Sequence, residues 1–409
     1  MVGEVTLFEL GVLFTAAAIV GGVASHLRQS VIPFYIATGI FFGPNVAGRL
    51  TPYALEVTKF VELGAELGIV FLLFFLGLEF NLNRLIANRS HISKAGTVDL
   101  VINFGGGLIL GFVLFRAFLP AFLLAGVVYI SSSAIITKSL IDLGWIANDE
   151  AEPMLGTLVY EDLVIAVYLV IATALLVGSG DIGGAVRSIA LALCVILVLL
   201  AIVWFGTQFF QRVIDVDSHE FIVLRVVGIT VLTAGAALAL GVSEAVAAFF
   251  IGMSFSSTDH VEQLERLLEP IRDLFAAVFF IWIGLVTDPL VFTGVLMLIL
   301  VAVVLTVPTK LVSGFLGGRI YDLNVRQSTR VGLGMTTRGE FSLIIATLAL
   351  SGAGTTLTET VAQTIYAFAV GYVLVMSVVG TMLMQYSTPI ENILVPQMSG
   401  YFSDSSDGS

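Results

Sequence analysis

Apolar residues run through this chain in blocks of about twenty, separated by short polar breaks. A helix of that length crosses the ~30 Å hydrocarbon core of a bilayer. The pattern predicts spans near residues 5–25, 30–47, 61–80, 94–115, 118–140, 154–178, 184–210, 219–240, 242–256, 268–286, 289–316, 328–352 and 360–386, thirteen in all. The second and ninth are short and bear glycine or proline. The expected fold class is an all-α integral membrane protein. One transmembrane domain covers 1–386, and the tail 387–409, ending Ser403-Asp-Ser-Ser-Asp-Gly-Ser409, reads as disordered. The longest segments between spans hold about a dozen residues, so no soluble domain is expected and a nucleotide-sensing domain would be a separate chain.

Two blocks carry polar runs that interrupt a helix. One is Tyr129-Ile-Ser-Ser-Ser-Ala-Ile-Ile136 in the fifth span, and the other is Gly332-Leu-Gly-Met-Thr-Thr-Arg-Gly-Glu-Phe-Ser342 in the twelfth. They lie seven spans apart, an odd number, so the two spans have opposite topologies. That is the relation of an inverted repeat, whose broken helices cross at the bilayer midplane. Each break has a charged neighbour: Glu161-Asp162 in the sixth span and Lys310 in the eleventh.

Loop charge sets the orientation. With the amino terminus outside, inner loops hold eleven Lys and Arg residues and outer loops four. The carboxyl terminus is then cytoplasmic. The expected location is the plasma membrane. A cleavable signal peptide is not expected, because the first apolar block carries Glu4 and Glu9 instead of a basic start.

Composition agrees with the pattern: 58% of the 409 residues are hydrophobic and 12% charged, against about 25% charged in a soluble domain. The net charge of −12 argues against nucleic acid as a partner. It suits either a salty cytoplasm or ordinary solvated loops. The lone cysteine, Cys194, excludes a disulfide framework and a thiolate metal site.

The chemistry lies in the charged residues that interrupt the spans. Ionisable groups at that depth are expensive and read as functional. Glu161 and Asp162 are adjacent, hence about 100° apart on a helix, and call for different partners. Asp162 is the expected ligand of a monovalent cation and the carrier of a proton, the two competing for the same oxygens. Glu161 is the second carboxylate, held by Lys310 or by Arg338. Lys310 needs a counter-charge if buried, unless its long stem lets it snorkel to the interface. Arg338 stays charged and must be paired; Glu340, Glu161 and Asp99 are candidates. Asp99 reads as a surface or packing acid near the inner end of the fourth span. Ser132, Ser133 and Thr336 are candidate cation ligands, although serines in membrane helices commonly bond only to the preceding turn.

These residues carry a family resemblance. Arg28-Gln-Ser-Val-Ile-Pro-Phe-Tyr-Ile-Ala-Thr-Gly-Ile-Phe-Phe-Gly-Pro44, Leu67-Gly-Ile-Val-Phe-Leu-Leu-Phe-Phe-Leu-Gly-Leu-Glu79, Ser131-Ser-Ser-Ala134, Glu161-Asp162, Ala245-Val-Ala-Ala-Phe-Phe-Ile-Gly252, Phe275-Ala-Ala-Val-Phe-Phe-Ile-Trp-Ile-Gly284 and Arg338-Gly-Glu-Phe341 run in order over nearly the whole chain. Together they resemble the monovalent cation:proton antiporters, in the branch of Kef-type potassium exporters and NapA-type sodium/proton antiporters. The resemblance implies an NhaA/NapA-like fold with two crossed broken helices. It implies core helices near 94–178 and 289–386 moving against dimerisation or scaffold helices near 5–80 and 219–286, a linker helix near 184–210, and a homodimer in the bilayer. Asp162 matches the essential aspartate, and Lys310 the lysine that pairs with the preceding acid. Glu161 departs from the pattern, where Asp, Gln or Asn is usual. Kef-type members often carry a cytosolic nucleotide-binding domain, so a separate cytosolic regulatory subunit is a possible partner.

The function that follows is secondary antiport of Na⁺ or K⁺ against H⁺ by alternating access, with no enzyme activity and no cofactor beyond the transported ions. Two rivals use the same features: a potassium efflux channel gated by a separate subunit, and a carrier-like sensor relative of the bile-acid type. Uphill coupling of protons to a cation gradient separates the antiporter from both.

Overall fold

The computed structural model describes residues 7–27, 29–50, 54–79, 89–177, 194, 197–199, 201–204, 206–216, 218–240, 244–256, 258 and 260–399. The principal helices are α1 (Leu7–His26), α2 (Val31–Phe42), α3 (Lys59–Glu79), α4 (Arg89–Phe115), α5 (Phe118–Tyr129), α6 (Ser133–Asp142), α7 (Ala151–Val177), α8 (Thr207–Ile214), α9 (His219–Ala239), α10 (Glu244–Ser256), α11 (Val261–Val286), α12 (Phe292–Ile320), α13 (Val325–Gly334), α14 (Glu340–Ser351), α15 (Glu359–Gln385) and α16 (Ser387–Ser399). No strand occurs among the described residues beyond an isolated bridge between Ala353 and Leu357. Eight helical segments there are long and apolar enough to cross a membrane, and α5, α10 and α14 are shorter apolar helices. Each expected span except the seventh coincides with a helix or with two half-helices in line. The seventh, 184–210, lies mostly outside the described residues.

Local chemistry starts the helices. Ser30 accepts from the Ile32 amide ahead of α2, and Thr358 from the Val361 amide ahead of α15. Asn324 and Gln327 form a reciprocal capping box at α13. Inside a bilayer the backbone must be satisfied within the protein, so caps matter most where a span is broken.

The packing falls into two groups. α3 lies against α10 and α11, α11 against α2, α2 against α1, and α10 against α9. The second group joins α4 to α5, α7 and α12, α12 to α13 and α15, and α14 to α5 and α15. Contacts of α2 with α15 and of α7 with α10 connect the groups. Within the first group, two crossings mirror each other under a shift of seven spans: α3 over α10, and α11 over α2. In both, backbones touch. A Cβ on Gly77 or Gly252 would collide with the carbonyl of Phe249 or Phe74, and one on Gly284 or Gly39 with that of Ile36 or Ile281. Small residues at such crossings are how membrane helices gain close van der Waals packing. The same contact in both halves is the inverted repeat expressed in packing.

One expectation is corrected. Residues 387–399 of the tail are not disordered but form α16. Glu391, on α16, is fully buried and accepts from Arg330 Nε at 2.7 Å. Arg326 Nε lies 2.9 Å from its other oxygen. Arg330 also donates to Glu150, in the turn before α7, at 2.9 Å and lies over the Trp145 ring. The composition of the last residues hid a single buried acid that pins the helix to α13.

Replacing Glu391 with Ala is therefore expected to undock α16. Limited proteolysis of the purified protein in detergent would cut within 387–399 many-fold faster, with the rest intact. An unchanged cleavage rate would show that α16 docks without these ion pairs.

Candidate functional site

The two broken spans cross. Ile130–Ser132 links α5 to α6, leaving the helix at an extended Ile130, and Met335–Gly339 links α13 to α14. Ser131 Oγ donates to the Met335 carbonyl at 3.2 Å, and Ser342 Oγ to the Val127 carbonyl at 2.7 Å. Gly339 abuts Ser132 so closely that a Cβ there would strike the serine hydroxyl. That contact explains a glycine between Arg338 and Glu340.

The crossing brings four helix ends together. The carboxyl ends of α5 and α13 present unpaired carbonyls and partial negative charge, and the amino ends of α6 and α14 the opposite. Arg338, fully buried, answers the first pair. Its Nε donates to the Val128 carbonyl at 3.0 Å, and its Nη1 reaches the carbonyls of Thr337 at 2.9 Å, Thr336 at 3.2 Å and Met335 at 3.3 Å. The expected acid partners for Arg338 give way to main-chain ones: one guanidinium caps two broken helices.

Carboxylates answer the amino ends. Glu161 accepts from the Ser131 amide at 2.6 Å and from Ser131 Oγ at 2.9 Å. Ser132 Oγ donates to Glu340 at 2.8 Å and accepts from the Ile135 amide at 3.3 Å, which makes it a cap for α6. Ser133 Oγ approaches Asp162 Oδ1 at 3.5 Å. Thr336 Oγ1 donates to the Leu333 carbonyl at 2.7 Å. Thr337 Oγ1 and Arg338 Nη2 are buried without a protein partner.

Lys310 Nζ donates to Glu161 Oε1 at 2.6 Å and to Asp99 Oδ2 at 2.7 Å, and lies over the Tyr129 ring. Of the alternatives for Glu161, the structure has Lys310, and the lysine is fully buried with no snorkelling. Asp99 corrects the sequence reading: it is 1% exposed and belongs to this centre. Its other oxygen accepts from Ser313 Oγ at 2.7 Å and Asn103 Nδ2 at 2.8 Å. Asn103 also donates to the Asp99 carbonyl at 3.0 Å, beside a π-helical turn over Leu100–Phe104 within α4. Such turns recur at functional sites because one extra residue re-aims a side chain. The legible signal was the spacing of Asp99 and Asn103, four apart on one face of an apolar run.

Asp99, Glu161, Asp162 and Glu340 thus share a buried centre with Lys310 and Arg338. Four carboxylates against two cations leave two negative charges for bound protons or a cation to neutralise. Both oxygens of Glu161 are engaged, whereas Asp162 lies at the amino end of α6 with hydroxyl oxygens nearby. Among the described residues no group of three His, Cys, Asp or Glu side chains is arranged to hold a metal ion, so an alkali cation here would rely on hydroxyls and carbonyls beside one carboxylate. Outside the spans, Tyr321 sits by the start of α7, where burial and Glu152 push its phenol up to about 12; it remains neutral at working pH.

A profile of the family described as "Sodium/hydrogen exchanger, transmembrane" matches residues 13–385. The chain belongs to the sodium/hydrogen exchanger family. Among curated relatives of this exchanger, the K(+)/H(+) antiporter subunit KhtU of Bacillus subtilis is 34% identical over 391 residues, covering 95% of both chains. The ammonium/H(+) antiporter subunit AmhT of Alkalihalophilus pseudofirmus is 29% identical, covering 94% of both. The sodium proton antiporter MjNhaP1 of Methanocaldococcus jannaschii, solved at pH 8, superposes with a TM-score of 0.70 at 15% identity, over 92% of this chain and 99% of that one. The two share a fold.

The charged triad should dominate stability locally. Lys310→Met strands two buried carboxylates and is expected to cost about 3–5 kcal/mol, read as a lower melting temperature in detergent. Adding Asp99→Asn and Glu161→Gln should recover most of the loss. A single variant that melts with the parent would contradict a buried ionised triad.

Proposed function

We propose that this antiporter exchanges a monovalent cation for protons by alternating access, with cation and proton competing for Asp162. The observation that carries the reading is the excess of buried carboxylate at the crossing of two broken helices. A bound cation stabilises the ionised carboxylate, and a proton displaces the cation; neither form leaves the site with its full negative charge. Glu161, tied to Lys310 and Ser131, holds the crossing and sets the local field. Arg338 keeps the helix ends together as the site moves. Ser133, whose hydroxyl lies 3.5 Å from Asp162, adds an oxygen beside the cation in this reading, and Ser132 and Thr336 on the crossing are further candidates.

Potassium is the first ion to test, and ammonium and sodium follow. The relatives named above are described for potassium and ammonium exchange, and both ions suit a site built of hydroxyl and carbonyl oxygens. The helix group of α4–α7 and α12–α15 forms the moving core, and that of α1–α3 and α9–α11 the scaffold, joined in a homodimer. The bias of basic residues supports a cytoplasmic carboxyl terminus, with α16 and the turn before α7 on that side. Two relatives are named as antiporter subunits, which supports a separate cytosolic partner docking there.

Asp162→Asn is expected to abolish cation-driven proton movement in proteoliposomes while leaving the protein folded. Residual exchange at a rate near that of the parent would place the competing group elsewhere.

A further inference from the structure

The antiport reading needs one competing carboxylate and accounts for Glu161 through its lysine. It gives no task to Asp99, which is as deeply buried as either and has its own polar network. We infer that Asp99 is a positioning residue that keeps Lys310 charged and in place throughout the transport cycle, so that the exchange moves no net charge. This rests on the proposed antiport.

The argument is geometric. An ammonium held by a single carboxylate depends on that carboxylate. When the acid takes a proton or turns to a passing cation, the lysine is left in low dielectric and sheds its own proton. Lys310 has two acids, from different helices: Glu161 of α7 at 2.6 Å and Asp99 of α4 at 2.7 Å. Glu161 borders the crossing and takes donors from Ser131, on the broken span itself. Rearrangement of that span must disturb it.

Asp99 takes its donors from elsewhere. Asn103 sits one turn along α4, and Ser313 on α12 is three residues from the lysine it helps to hold. Asn103 Nδ2 also reaches Ser313 Oγ at 2.9 Å, closing a ring of three side chains around one carboxylate oxygen. The other oxygen is left for Lys310. Asp99 and Lys310 therefore form a unit within the packed pair α4 and α12, in which Asp99 takes its side-chain donors Asn103 and Ser313 from outside the crossing.

The groups that touch this unit are Asn103 on α4, Tyr129 on α5, Glu161 on α7 and Ser313 on α12. Two carboxylates from different helices hold the ammonium, so it keeps a counter-charge when one of them is disturbed. With Lys310 fixed as a cation, the charge carried in each direction is set by Asp162 alone: one cation one way, one proton the other.

The test reads charge stoichiometry. The purified protein is reconstituted into liposomes with a potassium gradient, and proton flux is nulled against a pH gradient at several imposed potentials. The parent is expected to null where the potassium and proton gradients are equal, at every potential. In Asp99→Asn, Lys310 depends on Glu161 alone, and the null point should shift with potential. Asp99→Glu should restore voltage independence. Where Asp99→Asn fails to insert, Ser313→Ala, which loosens Asp99 without removing it, must show the same shift in direction. A parent whose null point moves with potential overturns the inference, and so do folded, active Asp99→Asn or Ser313→Ala proteins that null like the parent. A parent that exchanges none of potassium, ammonium or sodium overturns the antiport reading itself, which is a separate failure.

Discussion

A positive charge held between two acids, out of reach of water, organises this protein. Lys310 lies fully inside the bundle between Asp99 and Glu161, and three helices from both halves of the chain meet there. Ionised groups in low dielectric are tolerated only with near-complete pairing. That requirement fixes the positions of α4, α7 and α12, and through Ser131 it fixes the broken span beside them. Arg338 imposes the same constraint from the other side. It cannot deprotonate, and its donors reach the carbonyls of two interrupted helices. The crossing is thus an electrostatic structure before it is a binding site.

The centre gathers more carboxylates than cations, and the proposed exchange rests on that excess. A stable bundle has no need of four buried carboxylates against two cations. An exchanger does need a site that is incomplete without a mobile charge and indifferent to whether a proton or a metal cation supplies it. Asp162 is the carboxylate proposed for that part, beside the Ser133 hydroxyl at the amino end of α6, while Glu161 is tied to Lys310 and Ser131. Family membership and the shared antiporter fold fit this reading of the geometry. Around the site, glycines at the mirrored crossings of α3 with α10 and of α11 with α2 give the other helices a tight, apolar packing of their own. The moving parts would then have something firm to move against.

Much of this was legible in the sequence, for identifiable reasons. Apolar blocks declare spans because the bilayer demands them. Ser131–Ser133 and the glycine-threonine run around Arg338 marked the interruptions, because polar residues in a span must be satisfied there. Lys310 as the partner of Glu161 was among the readings open. Asp99 was misread because its burial depends on a long-range pair, and a lone acid near a predicted helix end looks like a surface residue. The partners of Arg338 were missed because backbone carbonyls leave no letter in the sequence. In the tail, the serine- and aspartate-rich end outweighs one glutamate, Glu391, whose value depends on two distant arginines, Arg326 and Arg330.

The central claim is competition between cation and proton for one carboxylate, and the direct measurement is the apparent affinity for potassium as a function of pH in proteoliposomes. Competition requires that the half-saturating potassium concentration rise by about tenfold for each unit of pH below the carboxylate's titration, with the maximal rate unchanged. An apparent affinity that stays constant while the maximal rate falls would contradict the account.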